Sequence, residues 1–289
     1  GQTFSCKHNC YYCPNEPAHK GNNYQAQPRS YLYHEPAVRR ANRNNFLAFE
    51  QMIDRMDTLF VNGHTIDKLE VLVLGGTFSE YPNEYQIEFV RDIYYAANTA
   101  IYSNRKERFP LETEMLLNES AQIRVIGLTL ETRPDTITLQ EIAKFRSFGC
   151  TRIQMGLQHT DDKILKMSNR GHSIKHTIDA ISLLKHNCFK LDVHLMPNLY
   201  GSNPQKDIQM FDEVLYNPLL QADQIKIYPV SVVPWSVYEN MYKSGKYKPY
   251  SDEKLKEVLI YAKTRMHPWI RLNGVIRDIP ISYIEGGCS

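Results

Sequence analysis

The sequence lacks any apolar run long enough to cross a membrane. Its best, Val71-Leu72-Val73-Leu74, has the size of a strand, whereas a spanning helix needs roughly 18 to 20 such residues. No charged-then-apolar leader opens the chain, so nothing in it reads as a secretory signal. An excess of charge is missing too. Its 34 basic and 32 acidic side chains leave a formal net charge of +2, so any affinity for nucleic acid has to come from a local basic face. With 14 glycines and 15 prolines among 289 residues, 42% hydrophobic and 23% charged, the composition excludes a collagen-like fibre, a coiled coil and a long disordered tail. Internal repeats and low-complexity segments are absent. What remains is a globular chain sized for one large domain or two ordinary ones.

Six cysteines are present, unevenly spread. Cys150, Cys188 and Cys288 stand alone, while Cys6, Cys10 and Cys13 fall within eight residues. A secreted disulfide framework would distribute them and would suit a much smaller chain. The triplet therefore reads as metal chemistry in a reducing, cytoplasmic compartment. Three thiolates in the pattern C-x-x-x-C-x-x-C can hold three corners of a [4Fe–4S] cubane, because thiolates are soft anionic donors. The fourth iron is then left for a substrate. Zinc is the competing reading, with His8 or His19 completing a Cys3His site. The two separated cysteine pairs common in structural zinc sites are lacking, and inert cysteines are the third alternative. The chain opens with Gly1 rather than Met and stops at Gly286-Gly287-Cys288-Ser289, which reads as a fragment.

Along the chain, residues 1–45 look irregular, with prolines, Asn pairs and many tyrosines. Residues 46–62 and 85–97 have helical apolar spacing, and 98–122 reads as a polar surface insertion. Strands are expected at 69–74, 123–130, 152–157, 189–195 and 224–228, with a last one near 270–276. Helices are expected between them at about 137–148, 160–168, 173–187 and 205–216, and after them at about 236–243 and 251–266. Strand–helix alternation implies a parallel sheet with crossover helices, hence an α/β fold and a partial or full β/α barrel. In such barrels chemistry sits where strands end. Here the ends carry Gly75-Gly76-Thr77, Glu131-Thr132-Arg133-Pro134-Asp135, Gln158, His194 with Met196, and Lys226 with Tyr228. Glycine and proline could simply punctuate loops, but five polar endings together point to a shared site.

With the triplet on a loop and a strand ending in Gly-Gly, the chain resembles the radical S-adenosylmethionine (SAM) superfamily. More narrowly it resembles the Elongator catalytic subunit family, tRNA wobble-uridine carboxymethyl synthases. The stretches that carry the likeness follow in family order. They are Tyr12-Cys13-Pro14, Val73-Leu74-Gly75-Gly76-Thr77-Phe78, Thr129-Leu130-Glu131-Thr132-Arg133-Pro134-Asp135, Gly149-Cys150-Thr151-Arg152 and Gly156-Leu157-Gln158. Then come Asn169-Arg170-Gly171-His172, His194-Leu195-Met196-Pro197, Lys226-Ile227-Tyr228-Pro229, Ser244-Gly245-Lys246-Tyr247-Lys248 and Arg277-Asp278-Ile279-Pro280. Many members space the first two cysteines more widely. The family's first barrel strand would precede the triplet, and its acetyltransferase lobe would follow Cys288.

The resemblance implies a partial (β/α) barrel of the radical SAM type. It divides the chain into an iron–sulfur segment at 1–45, a barrel at 46–235 and a helical extension at 236–289. Cys6, Cys10 and Cys13 would hold the [4Fe–4S] cluster. SAM would chelate the open iron and, on one-electron reduction, give methionine and a 5′-deoxyadenosyl radical. Gly75, Gly76 and Thr77 would approach the SAM amino group, where glycine lets the backbone come close; a plain turn is the alternative. Glu131 would contact SAM, unless it is a capping or ion-paired carboxylate. Gln158 would be a neutral polar contact. Lys226 would meet the SAM carboxylate, since a buried ammonium needs an anionic partner; a structural salt bridge is its alternative. Lys226 and Tyr228 are the candidate catalytic side chains, although a barrel tyrosine can equally be packing. His194 reads as a hydrogen-bonded interior histidine. The family's radical takes hydrogen from the acetyl group of acetyl-CoA, and the carbon radical adds to carbon 5 of uridine. No Gly-rich pyrophosphate cradle for acetyl-CoA occurs here.

The expected partner is a tRNA anticodon stem-loop, with Elongator-type accessory subunits or a second copy of the chain as protein partners and no membrane. Residues 1–43 carry a local excess of four positive charges, including Arg39, Arg40 and Arg43, interleaved with Tyr11, Tyr12, Tyr24, Tyr31 and Tyr33. Cations hold phosphates and aromatics stack on unpaired bases. A second basic run has Lys243, Lys246, Lys248, Lys254 and Lys256. Either run could be an ordinary solvated surface.

Overall fold

The computed structural model describes residues 4–101 and 103–288. Gly1 and Ser289, on which the reading as a fragment partly rests, lie outside the described residues. Eight strands are described: β1 (Lys68–Val73), β2 (Arg124–Thr132), β3 (Arg152–Gln158), β4 (Lys190–Leu195), β5 (Gln224–Ile227), β6 (Ser231–Val232), β7 (Arg271–Val275) and β8 (Gly286–Gly287). Six of them form one sheet in the order β1-β2-β3-β4-β5-β7, every neighbouring pair parallel. The sheet curls into a half-barrel. β6 and β8 make a small antiparallel ribbon. β7, although beyond residue 235, is the sixth strand of the main sheet.

The helices are α1 (Pro36–Arg43), α2 (Ala48–Val61), α3 (Asn83–Thr99), α4 (Leu111–Asn118), α5 (Leu139–Ser147), α6 (Asp162–Met167), α7 (Ile174–His186), α8 (Pro204–Tyr216), α9 (Val237–Lys243) and α10 (Asp252–Arg265). Their starts follow local chemistry. Thr138 accepts the Glu141 N–H at α5, and Asn203, followed by Pro204, accepts the Lys206 N–H at α8, each satisfying a donor the helix leaves unpaired. Two helices differ from the sequence expectation. α1 stands in the stretch read as irregular and α4 in the stretch read as an insertion.

A period of two decides what the sheet does. Leu128, Leu130, Ile153, Met155, Leu157, Leu191, Val193, Leu195, Ile225 and Ile227 are fully buried in one cluster with α3, α5, α7, α8 and α10. Burying such a side chain stabilises by about 1.5–3 kcal/mol, so this outer layer carries the fold. The residues between them face the concave side and are polar: Thr129, Glu131, Gln154, Asp192, His194 and Lys226. In register, Glu131 lies opposite Gln154, Gln154 opposite Asp192, and Asp192 opposite Gln224.

Candidate active site

The cysteine loop is stitched over the mouth of the half-barrel by its backbone. Tyr11 N–H donates to the Ser168 carbonyl, Tyr238 N–H to the Tyr11 carbonyl, and Asn15 N–H to the Trp235 carbonyl, each at 3.0 Å. Cys6 Sγ lies 3.4 Å from Thr77 Oγ1, just past β1. Cys10 is buried, and its Sγ accepts from Arg133 Nη1 and Arg170 Nη1, both at 3.6 Å. Those arginines stand beyond the ends of β2 and β3. The three cysteines thus meet the carboxyl ends of the strands.

The surroundings of Cys10 favour its thiolate. A hydrogen bond from Cys13, followed by the fields of Arg170 and Arg133, brings its pKa down to about 4 against the cost of burial. Cys13 is held well above the usual thiol range by the same bond and by burial. A low-pKa thiolate between two guanidiniums, with a second thiol beside it, is a soft anionic donor set. It fits an iron–sulfur cluster. The zinc alternative fits less well. His19 Nε2 is engaged by Glu16 at 2.9 Å and its Nδ1 accepts the Gly21 N–H, while His8 faces Glu80. Among the described residues no three His, Cys, Asp or Glu side chains, the cysteine triplet included, converge on the position of a single metal ion.

The two arginines are locked in place. Arg133 Nε and Nη2 meet both oxygens of Asp135 at 2.9 and 3.0 Å, and Nη2 also donates to the Arg170 carbonyl at 2.6 Å. Arg170 Nη2 donates to the Gly156 carbonyl at 2.7 Å. A Cβ on Gly156 would stand 2.6 Å from that guanidinium nitrogen and 2.8 Å from Gln158 Nε2, so only glycine admits this approach. In the sequence Arg133 and Arg170 stand within the Glu131–Asp135 and Asn169–His172 stretches with no role marked for either. The available signal was an arginine two residues before an aspartate at a strand end.

Below the cysteines lies the polar concave face. Gly76 has φ of +63° and donates its N–H to Tyr31 Oη at 2.9 Å, and Thr77 is buried. Glu131 Oε1 lies 3.7 Å from His194 Nδ1. Burial, then the Lys226 charge, brings His194 down to about 3, so at neutral pH this contact is not an ion pair. Burial raises the Glu131 carboxyl, with Lys226 the largest opposing influence. Lys226 is a buried residue, and its ammonium makes no hydrogen bond or ion pair among the described residues. The salt-bridge alternative for Lys226 is therefore not what the structure displays. Tyr228 packs edge-on against His194, their ring centroids 5.6 Å apart. Gln158 ends β3 with φ of +70°. Asp192 Oδ2 accepts from Gln154 and Asn273, each at 3.0 Å.

Gln154 Oε1, Gln158 Oε1, Asp192 Oδ1 and His194 Nε2 are buried without a protein partner. Each such atom costs about 1–3 kcal/mol. A set of them on one face suits a polar occupant with donors of its own, as the SAM ammonium and ribose hydroxyls are. The structure thus brings the cysteines, Gly75–Thr77, Glu131, Gln158, Lys226 and Tyr228 to one mouth. Asp192 and Gln154 join them, although the sequence reading did not name either.

The RNA candidates lie elsewhere. Arg39 and Arg43 are exposed on α1. Arg43 pairs with Asp54, and Arg40 is held below its usual range by burial and by Arg55. Lys246 and Lys248 are exposed on either side of buried Tyr247, whereas Lys243 is paired with Glu239 and Glu285.

Residues 3–214 match the family model of the radical SAM superfamily, and residues 222–288 match its C-terminal domain model. A tRNA uridine(34) acetyltransferase of Dehalococcoides mccartyi is 35% identical over 282 residues, covering 98% of this chain and 58% of that protein. Human Elongator complex protein 3 is 33% identical over 278 residues, covering 96% of this chain and 49% of its own length. A solved structure, archaeal Methanocaldococcus infernus Elp3 with its N-terminus deleted, aligns with a TM-score of 0.80 at 38% identity, covering 85% of this chain and 56% of that one. The chain spans about half the length of the curated relatives it matches.

Proposed function

The chain belongs to the radical SAM superfamily, and from that premise we propose that it is the radical SAM lobe of an Elongator-type enzyme that carboxymethylates the wobble uridine of tRNA. The observation that carries the reading is the buried Cys10 sulfur set between the Arg133 and Arg170 guanidiniums at the mouth of a polar half-barrel. Cys6, Cys10 and Cys13 would ligate a [4Fe–4S] cluster. When bound, cluster and SAM together supply one-electron cleavage of the sulfonium, which yields a carbon radical at the nucleoside 5′ position.

This chain's own residues bind, orient and shield. Arg133 and Arg170 neutralise the thiolates. Gly75, Gly76, Thr77, Glu131 and Gln158 would contact SAM, and Lys226 would meet its carboxylate. Tyr228 and Lys226 border the space in which the substrate would be activated, and burial there keeps water out. The acetyl group of acetyl-CoA is the proposed substrate of that activation and carbon 5 of uridine its acceptor, with acetyl-CoA held mainly by the remainder of the full-length protein. The same proposal assigns 1–45 to the cluster segment, 46–235 to the barrel and 236–289 to an extension that lends β7 to the sheet. The anticodon stem-loop is the expected RNA, Elongator-type subunits or a second copy the expected protein partners, and the cytoplasm the expected location. No helix among the described residues is long and apolar enough to cross a membrane.

Anaerobic reconstitution tests the reading. A brown protein with iron and sulfide in cubane proportion, forming 5′-deoxyadenosine from SAM with dithionite, is expected. A colourless protein carrying one zinc would overturn it. Glu131→Ala is expected to weaken SAM binding about 10-fold or more, the worth of a lost hydrogen bond to a charged group, with RNA affinity unchanged. Equal losses of both in titrations would mean that Glu131 only supports the fold. Lys246→Glu combined with Lys248→Glu should lower tRNA affinity and reduce the slope of log K against log salt by about 2, one per phosphate contact removed. An unchanged slope would remove this loop from the RNA surface.

A further inference from the structure

The chain has two tryptophans, and one of them stands where the backbone disfavours it. Trp235 has φ of +61°, a left-handed conformation that glycine adopts freely and a side chain does not. Its surroundings enforce the conformation. The Trp235 carbonyl accepts from Asn15 N–H at 3.0 Å, and its N–H donates to Glu239 Oε2 at 2.7 Å. The effect is to hold an indole on the rim of the mouth, because Asn15 is two residues past Cys13.

The indole is the centre of a row of rings. Its centroid lies 5.1 Å from His19, with 32° between the planes, and 6.1 Å from Tyr283. Tyr283 continues to His34 at 5.8 Å, and His34 to Tyr33 at 5.0 Å. Trp235, His19 and Tyr33 are partly exposed and His34 is exposed. Lys20 follows His19 directly and is exposed, Arg39 is exposed one turn past Glu35, and Arg29 is partly exposed with one guanidinium nitrogen on Asn9 Oδ1. The only carboxylates in residues 1–43 do not compete for them. Glu16 is buried and bonded to His19, Asn22 and Tyr33, and Glu35 is buried and paired with Arg277.

A partly exposed indole beside cationic side chains matches one chemistry closely, an unpaired nucleobase with its phosphates. A base-paired duplex hides its faces, and an aromatic peptide side chain brings no phosphate for the cations. We propose that Trp235, backed by His19, is the stacking platform for an unpaired base of an RNA loop whose phosphates run towards Lys20, Arg29 and Arg39. This inference rests on the RNA-modifying reading and names where the loop is gripped.

Intrinsic fluorescence tests it. Trp269, stacked on His267 at 4.6 Å, is the other indole, and Trp269→Phe leaves Trp235 as the sole reporter. Titration with an RNA hairpin bearing an unpaired loop is expected to give saturable quenching, and a blunt duplex of equal length is expected to give none. Trp235→Gly suits the backbone but gives up packing on the cluster of Leu32, Val233 and Tyr283, so a modest fall in melting temperature is expected with the fold retained, while hairpin binding weakens about 5- to 150-fold, the range for loss of one base–aromatic stack. Trp235→Phe should recover much of the affinity. Equal quenching by hairpin and duplex, or hairpin binding by Trp235→Gly as tight as the parent's, would overturn the platform and leave the RNA-modifying reading standing. Failure of the parent chain to bind either RNA would overturn both.

Discussion

Cys10→Ser is expected to reduce formation of 5′-deoxyadenosine to background, a loss of at least about 100-fold, while the half-barrel stays folded. Cys10 is the buried member of the triplet, and two guanidiniums converge on its sulfur. A serine hydroxyl does not ionise near neutral pH and is a hard donor, so neither the charge nor the softness that iron requires would remain. The arginines would keep their other partners, Asp135 and the Gly156 carbonyl, which is why the fold should persist. Iron and sulfide analysis, circular dichroism and the cleavage assay together check this. Full iron content and unaltered SAM cleavage in the variant would show that Cys10 is not a ligand.

The second large effect is on stability. Asp207, fully buried at the start of α8, collects four donors. Asn198 N–H bonds one carboxylate oxygen at 2.7 Å and Tyr250 Oη bonds the same oxygen at 2.6 Å. Ser202 Oγ and His159 Nε2 bond the other at 2.5 and 3.1 Å. His159 can be the donor because its Nδ1 already accepts the Asp161 N–H. Asp207→Ala would take the acceptor from all four and leave Asn198 N–H and Tyr250 Oη without one, while Ser202 Oγ keeps the Asn203 carbonyl and His159 as neighbours; each unsatisfied buried donor costs about 1–3 kcal/mol. Allowing for relaxation, a loss of about 3–5 kcal/mol and a fall in melting temperature of roughly 10 °C are expected. The change should also loosen the loop after β4 from the segment bearing Lys246 and Lys248, since Asn198 accepts from both Tyr247 Oη and Tyr250 N–H. A melting temperature within about 2 °C of the parent in thermal unfolding would mean that solvent replaces the carboxylate at little cost.

Much of this was legible in the sequence, for a physical reason. A parallel strand covered by helices writes itself as a short apolar run, and each expected run became a strand of the main sheet. The cysteine spacing was equally plain, because ligation from a short loop depends on local sequence alone. Less legible were features whose meaning depends on distant partners. α1 is rich in arginine and buries only Val38, so it gives no apolar stripe. α4 is anchored by buried Glu114, which holds Arg105 and Asn98 from the preceding segment, and no period in the sequence announces that. Arg133 and Arg170 acquire their role only when loops separated by more than a hundred residues from Cys10 close on it. Asp192 and Gln154 were within reach, since each interrupts an apolar strand at the alternate position.

That alternation makes one stretch of chain answer two masters. In β2 to β5 apolar residues that anchor the helices alternate with polar ones on the concave face, so exchanging a concave-face residue leaves the anchors untouched. Deleting or inserting a single residue would instead trade the faces, turning leucines toward the cofactor side and charges into the helical layer. Spacing, more than identity, is what these strands must hold constant.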